Sequence, residues 1–144
     1  MSGALAFFDT NILVYSDDRS SPQKQEKAIT LFSTHLRAGT AVLSLQVLQE
    51  YFSAATRKLK VPADKAQQKV EIMARCRVVR LESADVIGAI ELHRLSQISF
   101  WDALIVQAAR LSGAATLFSE DLQTDSVVGG IKVINPFALP NTAK

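Results

Sequence analysis

Short apolar runs alternate with longer helical stretches along the whole chain, and this alternation restricts the fold more than any other feature. Residues 5–8 form an apolar run closed by Asp9, and residues 10–15 read as a short helix or turn. After a polar stretch, residues 23–38 carry Ala28, Ile29, Leu31, Phe32 and Leu36 at amphipathic-helix spacing, with Gly39 as the C-cap. Residues 41–43 read as a second strand, and Ser44 as the N-cap of a helix reaching about residue 59. Pro62 opens a helix through Cys76, residues 78–81 give a third strand, and Ser83 caps a helix over 84–95. Ser99 caps a very apolar helix over 100–111 that Gly113 closes. Residues 115–118 are a fourth strand and 131–134 a fifth, stopped by Asn135-Pro136. This order predicts an α/β fold with a parallel sheet of about five short strands flanked by helices. The strand runs are almost continuously apolar, as expected of a sheet covered on both faces. Such sheets bind ligands beyond the carboxyl ends of their strands, near the point where strand order reverses. Asp9 and Asp121 both follow strand ends, a first sign that they share a site.

A chain of 144 residues fits one domain and buries enough surface for a core without staples. Sixteen basic against fourteen acidic residues give a net charge of +2, which permits a polyanionic partner without demanding one. A single cysteine, Cys76, excludes an internal disulfide and a cysteine-based zinc site. There is no basic, apolar leader at the start and no run approaching the roughly 20 apolar residues of a membrane helix, so a cytoplasmic protein without a membrane partner is expected.

Four acids stand out: Asp9, Glu50, Asp102 and Asp121. Taken alone, Asp9 reads equally as the cap of the short helix after it, and Asp121 as part of a polar turn after Ser119. Glu50 lies mid-helix at the border of the buried face and by itself reads as a solvated glutamate. Asp102 is the most informative. Ser99-x-x-Asp102 has the spacing of a capping box, but the helix is apolar nearly all round, and the neighbours of Asp102 on it are Ile105, Val106 and Ala109. A carboxylate there is costly unless paired or metal-bound, and no Lys or Arg lies one turn away on that face. If the acids converge, their mutual repulsion is relieved by a hard divalent cation, which prefers oxygen ligands.

Read in order, these segments resemble the motifs of PIN domains. Phe8-Asp9-Thr10-Asn11-Ile12-Leu13-Val14-Tyr15 looks like the opening motif, an acid at the end of the first strand followed by Thr-Asn. Ser44-Leu45-Gln46-Val47-Leu48-Gln49-Glu50-Tyr51-Phe52 is similar to the second, Ser99-Phe100-Trp101-Asp102-Ala103-Leu104-Ile105 to the third, and Phe118-Ser119-Glu120-Asp121-Leu122-Gln123 to the fourth. The tail from Gly130 to Phe137 looks like the end of bacterial VapC-type toxins. Each motif alone is weak; four in order over nearly the whole chain are specific. The resemblance implies a PIN-like nuclease domain over residues 1–140 with a short tail at 141–144. It implies that Asp9, Glu50, Asp102 and Asp121 hold one or two Mg²⁺ or Mn²⁺ ions, with Thr10, Asn11 and Ser119 as supporting polar groups. Asp125 would be an accessory acid, against a plainer reading as a solvated loop aspartate. The resemblance further implies an endoribonuclease acting as the toxin of a type II toxin–antitoxin pair, an antitoxin partner and a homodimer. RNA processing outside such a pair, or an inactive PIN scaffold, are the alternatives, and retention of all four acids argues against the second.

Substrate grip is expected from Arg57, Lys58 and Lys60, which close the Glu50 helix and could meet RNA phosphates; the same cluster also suits a helix C-terminus for its own sake. Arg75, Arg77 and Arg80 form a second basic run. Phe7, Phe8 and Trp101 are expected in the core rather than as base-stacking surfaces. His35 is expected on a helix surface and His93 there or at a helix end; neither falls in a motif, which disfavours histidine-based RNA cleavage. A receiver-type phosphotransfer domain would need an adjacent acid pair after strand one and a Lys after strand five, where this chain has Asp9-Thr10-Asn11 and Asn135-Pro136.

Overall fold

Six strands form a single sheet in the computed structural model, which describes residues 3–138. They are β1 (Ala6–Phe8), β2 (Ala41–Ser44), β3 (Arg77–Val79), β4 (Thr116–Phe118), β5 (Val127–Val128) and β6 (Ile131–Ile134). Six helices accompany them: α1 (Thr10–Tyr15), α2 (Pro22–Ala38), α3 (Leu45–Arg57), α4 (Ala63–Met73), α5 (Ser83–Ser96) and α6 (Phe100–Ser112). The sheet order is β3-β2-β1-β4-β6-β5, and every pairing is parallel except β5 with β6. From β1 the chain steps outward through β2 to β3, then crosses back to lay β4 on the other side of β1. The reversal therefore falls between β1 and β4, where Phe8 is in register with Phe118 and the Asp9 N–H donates to the Phe118 carbonyl at 2.9 Å.

The central strands are buried throughout: Phe7, Phe8, Val42, Leu43 and Leu117 lose all exposure, because helices cover both faces of the sheet. Helix α6 lies across β2, β3, β4 and β6 and contributes Ala103, Leu104, Ile105, Val106, Ala108 and Ala109 to the core. Local signals set the helix ends. The Ser44 Oγ accepts from the Val47 N–H at 3.3 Å and the Ser99 Oγ from the Asp102 N–H at 3.0 Å. Gly39 and Gly113 close their helices at φ 75° and 80°, a region open to glycine at little cost.

Several expectations are corrected. Helix α5 starts at Ser83 itself with Glu82 as its cap, because the Asp85 side chain reaches back to accept from the Glu82 N–H at 2.9 Å. Helix α4 runs from Ala63 to Met73 rather than through Cys76, and β3 starts at Arg77. The sheet gains β5, an antiparallel edge strand joined to β6 by Gly129-Gly130 at φ 58° and 84°, the backbone of a two-residue hairpin turn. His35 is half-buried, with its ring against Phe8 and Phe118 and its Nδ1 2.7 Å from the Thr40 hydroxyl; burial lowers its pKa. Trp101 is 64% exposed, not core. It lies on the same stripe of α6 as the buried Ala108 and Ser112, but the first turn of α6 carries it out to the strand ends, beyond the apolar cover that the later turns enjoy. The tail expected at 141–144 lies outside the described residues.

Candidate active site

Asp9 terminates β1, is 4% exposed and uses both oxygens locally. Its Oδ1 accepts from the Thr10 N–H at 2.7 Å, so it does cap α1; its Oδ2 accepts from the Ser119 hydroxyl at 2.7 Å and, at 3.5 Å, from the Asn11 amide. Ser119, fully buried at the end of β4, also accepts from the Asp121 N–H at 3.1 Å, so one hydroxyl ties the β1 acid to the turn that carries Asp121. Asp102 enters from the first turn of α6. Carboxylate oxygens of Asp9, Asp102 and Asp121 come within 4.8 Å of one another, drawn from three separate elements at the strand-order reversal.

Glu50 stands apart from that trio, in the same cleft. Its Oε1 accepts from the Thr10 hydroxyl at 2.7 Å and its Oε2 from the Gln46 amide at 3.0 Å, so it is joined to the trio through the residue next to Asp9. Asn11 accepts from the Glu120 N–H at 3.2 Å, and Glu120 pairs with Lys24, which also reaches the Tyr15 hydroxyl. These contacts clamp the turn after β4 to α1 and α2. The cleft also includes Asp18 and Glu120, which the sequence did not single out; each stands beside another acid, Asp17 and Asp121, and that doubling was the available signal.

Electrostatically the site is strained. Burial pushes the Asp9 carboxyl up to about 7, helped by repulsion from Asp121 and Asp102 and opposed by the Ser119 and Thr10 hydrogen bonds. Asp102 is also raised, chiefly by burial and then by repulsion from Asp121 and Glu50, against the pull of Ser99. Among the described residues, the two ion pairs are Lys24–Glu120 and Lys69–Asp17, and neither engages the trio. An all-oxygen donor set fits a hard divalent cation better than a soft, thiolate-seeking metal.

The other expected residues separate. Lys58 lines the acidic cleft, whereas Arg57 and Lys60 line an adjoining one that shares Lys58 and Glu50. Asp125 is exposed, at φ 64° on the loop before β5, and is not in the acidic trio, in keeping with a solvated loop aspartate. Arg75, Arg77 and Arg80 are all exposed, and no helix of the described residues is long and apolar enough to cross a membrane.

The PIN domain family model matches residues 6–129, a span that contains β1, the trio and Glu50. The chain belongs to the PIN domain family. Solved structures agree in architecture. The chain is similar to a toxin–antitoxin complex from Klebsiella pneumoniae, at a TM-score of 0.65 and 20% identity over 93% of this chain and 99% of that one. It is similar to VapBC2 from Rickettsia felis, bound to a DNA fragment from their promoter (TM-score 0.64, 20% identity, 90% and 96% covered). It is also similar to the sarcin–ricin loop cleaving toxin VapC20 of Mycobacterium tuberculosis (TM-score 0.63, 19% identity, 81% and 89% covered). At these identities the likeness concerns the fold. No curated protein sequence matches the chain. In this PIN domain the acids that the motifs single out thus share one cleft, three as a cluster and the fourth beside them.

Proposed function

We propose that this PIN domain is a divalent-metal-dependent endoribonuclease and the toxin of a type II toxin–antitoxin pair. The observation that carries the reading is the convergence of Asp9, Asp102 and Asp121 within 4.8 Å, with no ion pair engaging them among the described residues. These three would hold Mg²⁺ or Mn²⁺, and Ser119, Thr10 and Asn11 would keep the Asp9 carboxylate and the Asp121 turn in place. A bound ion of this kind polarises a phosphate and lowers the pKa of a coordinated water. Glu50, held by Thr10 and Gln46, faces the same cleft and would take the proton of the attacking water at a carboxylate oxygen. Lys58 at the rim, with Arg57 and Lys60 beyond it, would bind backbone phosphates on one side of the cut. Attack by water rather than by the RNA 2′-hydroxyl leaves a 3′-OH and a 5′-phosphate.

The toxin assignment is supported by fold similarity to proteins described as toxins or toxin–antitoxin complexes. It implies a cognate antitoxin that blocks this cleft, and a homodimer testable by sedimentation. The deciding experiment incubates purified protein with total cellular RNA in Mg²⁺, Mn²⁺ or EDTA and maps the ends. Discrete cuts with 5′-phosphates, lost in EDTA and in Asp9→Asn, are expected; full cleavage in EDTA refutes the metal site. Growth arrest on expression, relieved by Asp9→Asn, tests the toxin role, and harmless expression of active protein points to RNA processing instead.

A further inference from the structure

Trp101, the chain's only tryptophan, is 64% exposed although it immediately precedes Asp102 in the site. A large aromatic ring left in water at such a place adds little to the core and is suited to a ligand. The indole borders two clefts at once: the acidic one, and a neighbour whose polar wall is Ser44, Gln46, Gln49, Arg80 and Glu82. Gln46 belongs to both clefts as well and holds Glu50, so the two adjoin at Gln46 and Trp101. Phe100 meets the indole edge-on at 5.3 Å and 62°, which steadies the ring without stacking on it.

We infer that Trp101 is a base-stacking platform and a specificity-determining residue: the nucleotide beside the cut phosphate lays its base on the indole and occupies the second cleft. The inference rests on the RNA reading above. The wall is mixed: Leu45, Val79, Leu81, Val86, Leu104 and Ala108 give the flat face of a base an apolar bed beside the indole, and the polar groups address its edge. Gln46 and Gln49 offer amides, and Glu82 an acceptor, to the hydrogen-bonding edge of a base, and Arg80 offers a guanidinium to its phosphate. Stacking on an exposed aromatic is the usual way a protein grips an unpaired base, because every base presents a π face. With Lys58 in the acidic cleft and Arg57 and Lys60 in the one adjoining it, the strand would run from the basic end of α3, across the trio, onto Trp101.

The sole tryptophan makes the test direct. Asp9→Asn protein, which keeps the second cleft intact, is titrated with a single-stranded RNA of about 12 mixed nucleotides. Binding is followed by anisotropy of a labelled strand, and separately by indole emission with the unlabelled strand. Emission should be quenched in step with binding, and an RNA of the same length with abasic positions should bind without quenching. Trp101→Ala should weaken binding about tenfold, Trp101→Phe should retain most of it, and in the otherwise wild-type chain Trp101→Ala should flatten base preference next to the cut. RNA that binds with unchanged indole emission, or with unchanged affinity in Trp101→Ala, overturns the inference and leaves the nuclease reading standing. If Trp101→Ala spares RNA binding and cleavage but abolishes binding of a protein inhibitor, the indole belongs to a protein interface and the inference falls. Absence of any RNA binding removes the nuclease reading and this inference together.

Discussion

Replacing Asp9 with asparagine should make the metal-free protein more stable, by an amount that depends on pH. A carboxyl moved from 3.8 to about 7 in the folded chain binds its proton more tightly there than when unfolded. Its folded pKa is raised, so the associated stability is fully present below about pH 4 and is lost as pH rises towards 7. Above 7 the ionised Asp9 costs roughly 4 kcal/mol, at about 1.4 kcal/mol per tenfold. The asparagine side chain carries no charge and keeps the shape. Its carbonyl can still accept from the Thr10 N–H, and its amide can donate to the Ser119 oxygen, at an expected loss of about 1 kcal/mol for rearranged hydrogen bonds. The net gain at pH 8 in EDTA is then about 2–3 kcal/mol, or roughly 10 °C in melting temperature for a domain of this size. The gain should fade towards zero near pH 4. Millimolar Mg²⁺ should close the gap from the other side, because it stabilises the wild-type chain by mass action, by about 2.7 kcal/mol at a hundredfold excess over Kd. Thermal melts of both proteins from pH 4.5 to 8.5, with EDTA and with Mg²⁺, provide the measurement. A variant no more stable than wild type at pH 8, or a difference that does not vary with pH, would show that Asp9 is not held as a buried, repelled carboxylate.

Ser119→Ala removes a buried donor to Asp9 and should cost roughly 1–3 kcal/mol at pH 8, with weaker Mg²⁺ binding by calorimetry and a smaller penalty where Asp9 is protonated. Tyr51→Phe loses the hydrogen bond from the buried Tyr51 hydroxyl to Asp17 and should lower stability by about 1 kcal/mol while leaving cleavage intact, since Lys69 still pairs with Asp17. A 2′-deoxy sugar at the cut site should leave the bond cleavable, and ligation-based mapping should find 5′-phosphates; 2′,3′-cyclic phosphates would rule out attack by water. Asp125→Asn should not change the cleavage rate, because a residue at φ 64° on an exposed loop tolerates asparagine and stands outside the acidic trio.

Much of the fold was legible because its signals are local. Gly39, Gly113, Ser44 and Ser99 act as caps through contacts within a few residues of themselves, so the sequence alone suffices to place them. The β5–β6 hairpin was equally legible in Val127-Val128-Gly129-Gly130-Ile131, two apolar runs split by a glycine pair, and went unread because its first strand has only two residues. Trp101 failed for a different reason. Helical periodicity reports the angle of a side chain around the axis, not whether neighbouring elements extend far enough along it to cover the ring.

The sequence by itself determined which acids could form a site, because Asp9 and Asp121 follow strands and Asp102 opens a helix too apolar to shelter a lone carboxylate. Only the tertiary structure decided which of them meet. Residues 9, 102 and 121 lie far apart along the chain, and they converge because β4 returns to the side of β1 and α6 crosses the sheet with its first turn at the strand ends. The same geometry leaves Glu50 across the cleft, tied to the trio through Thr10, an arrangement no spacing in the chain could express. Strand order is an outcome of packing the whole chain, not of any local run of residues, and the chemistry of the site follows from it.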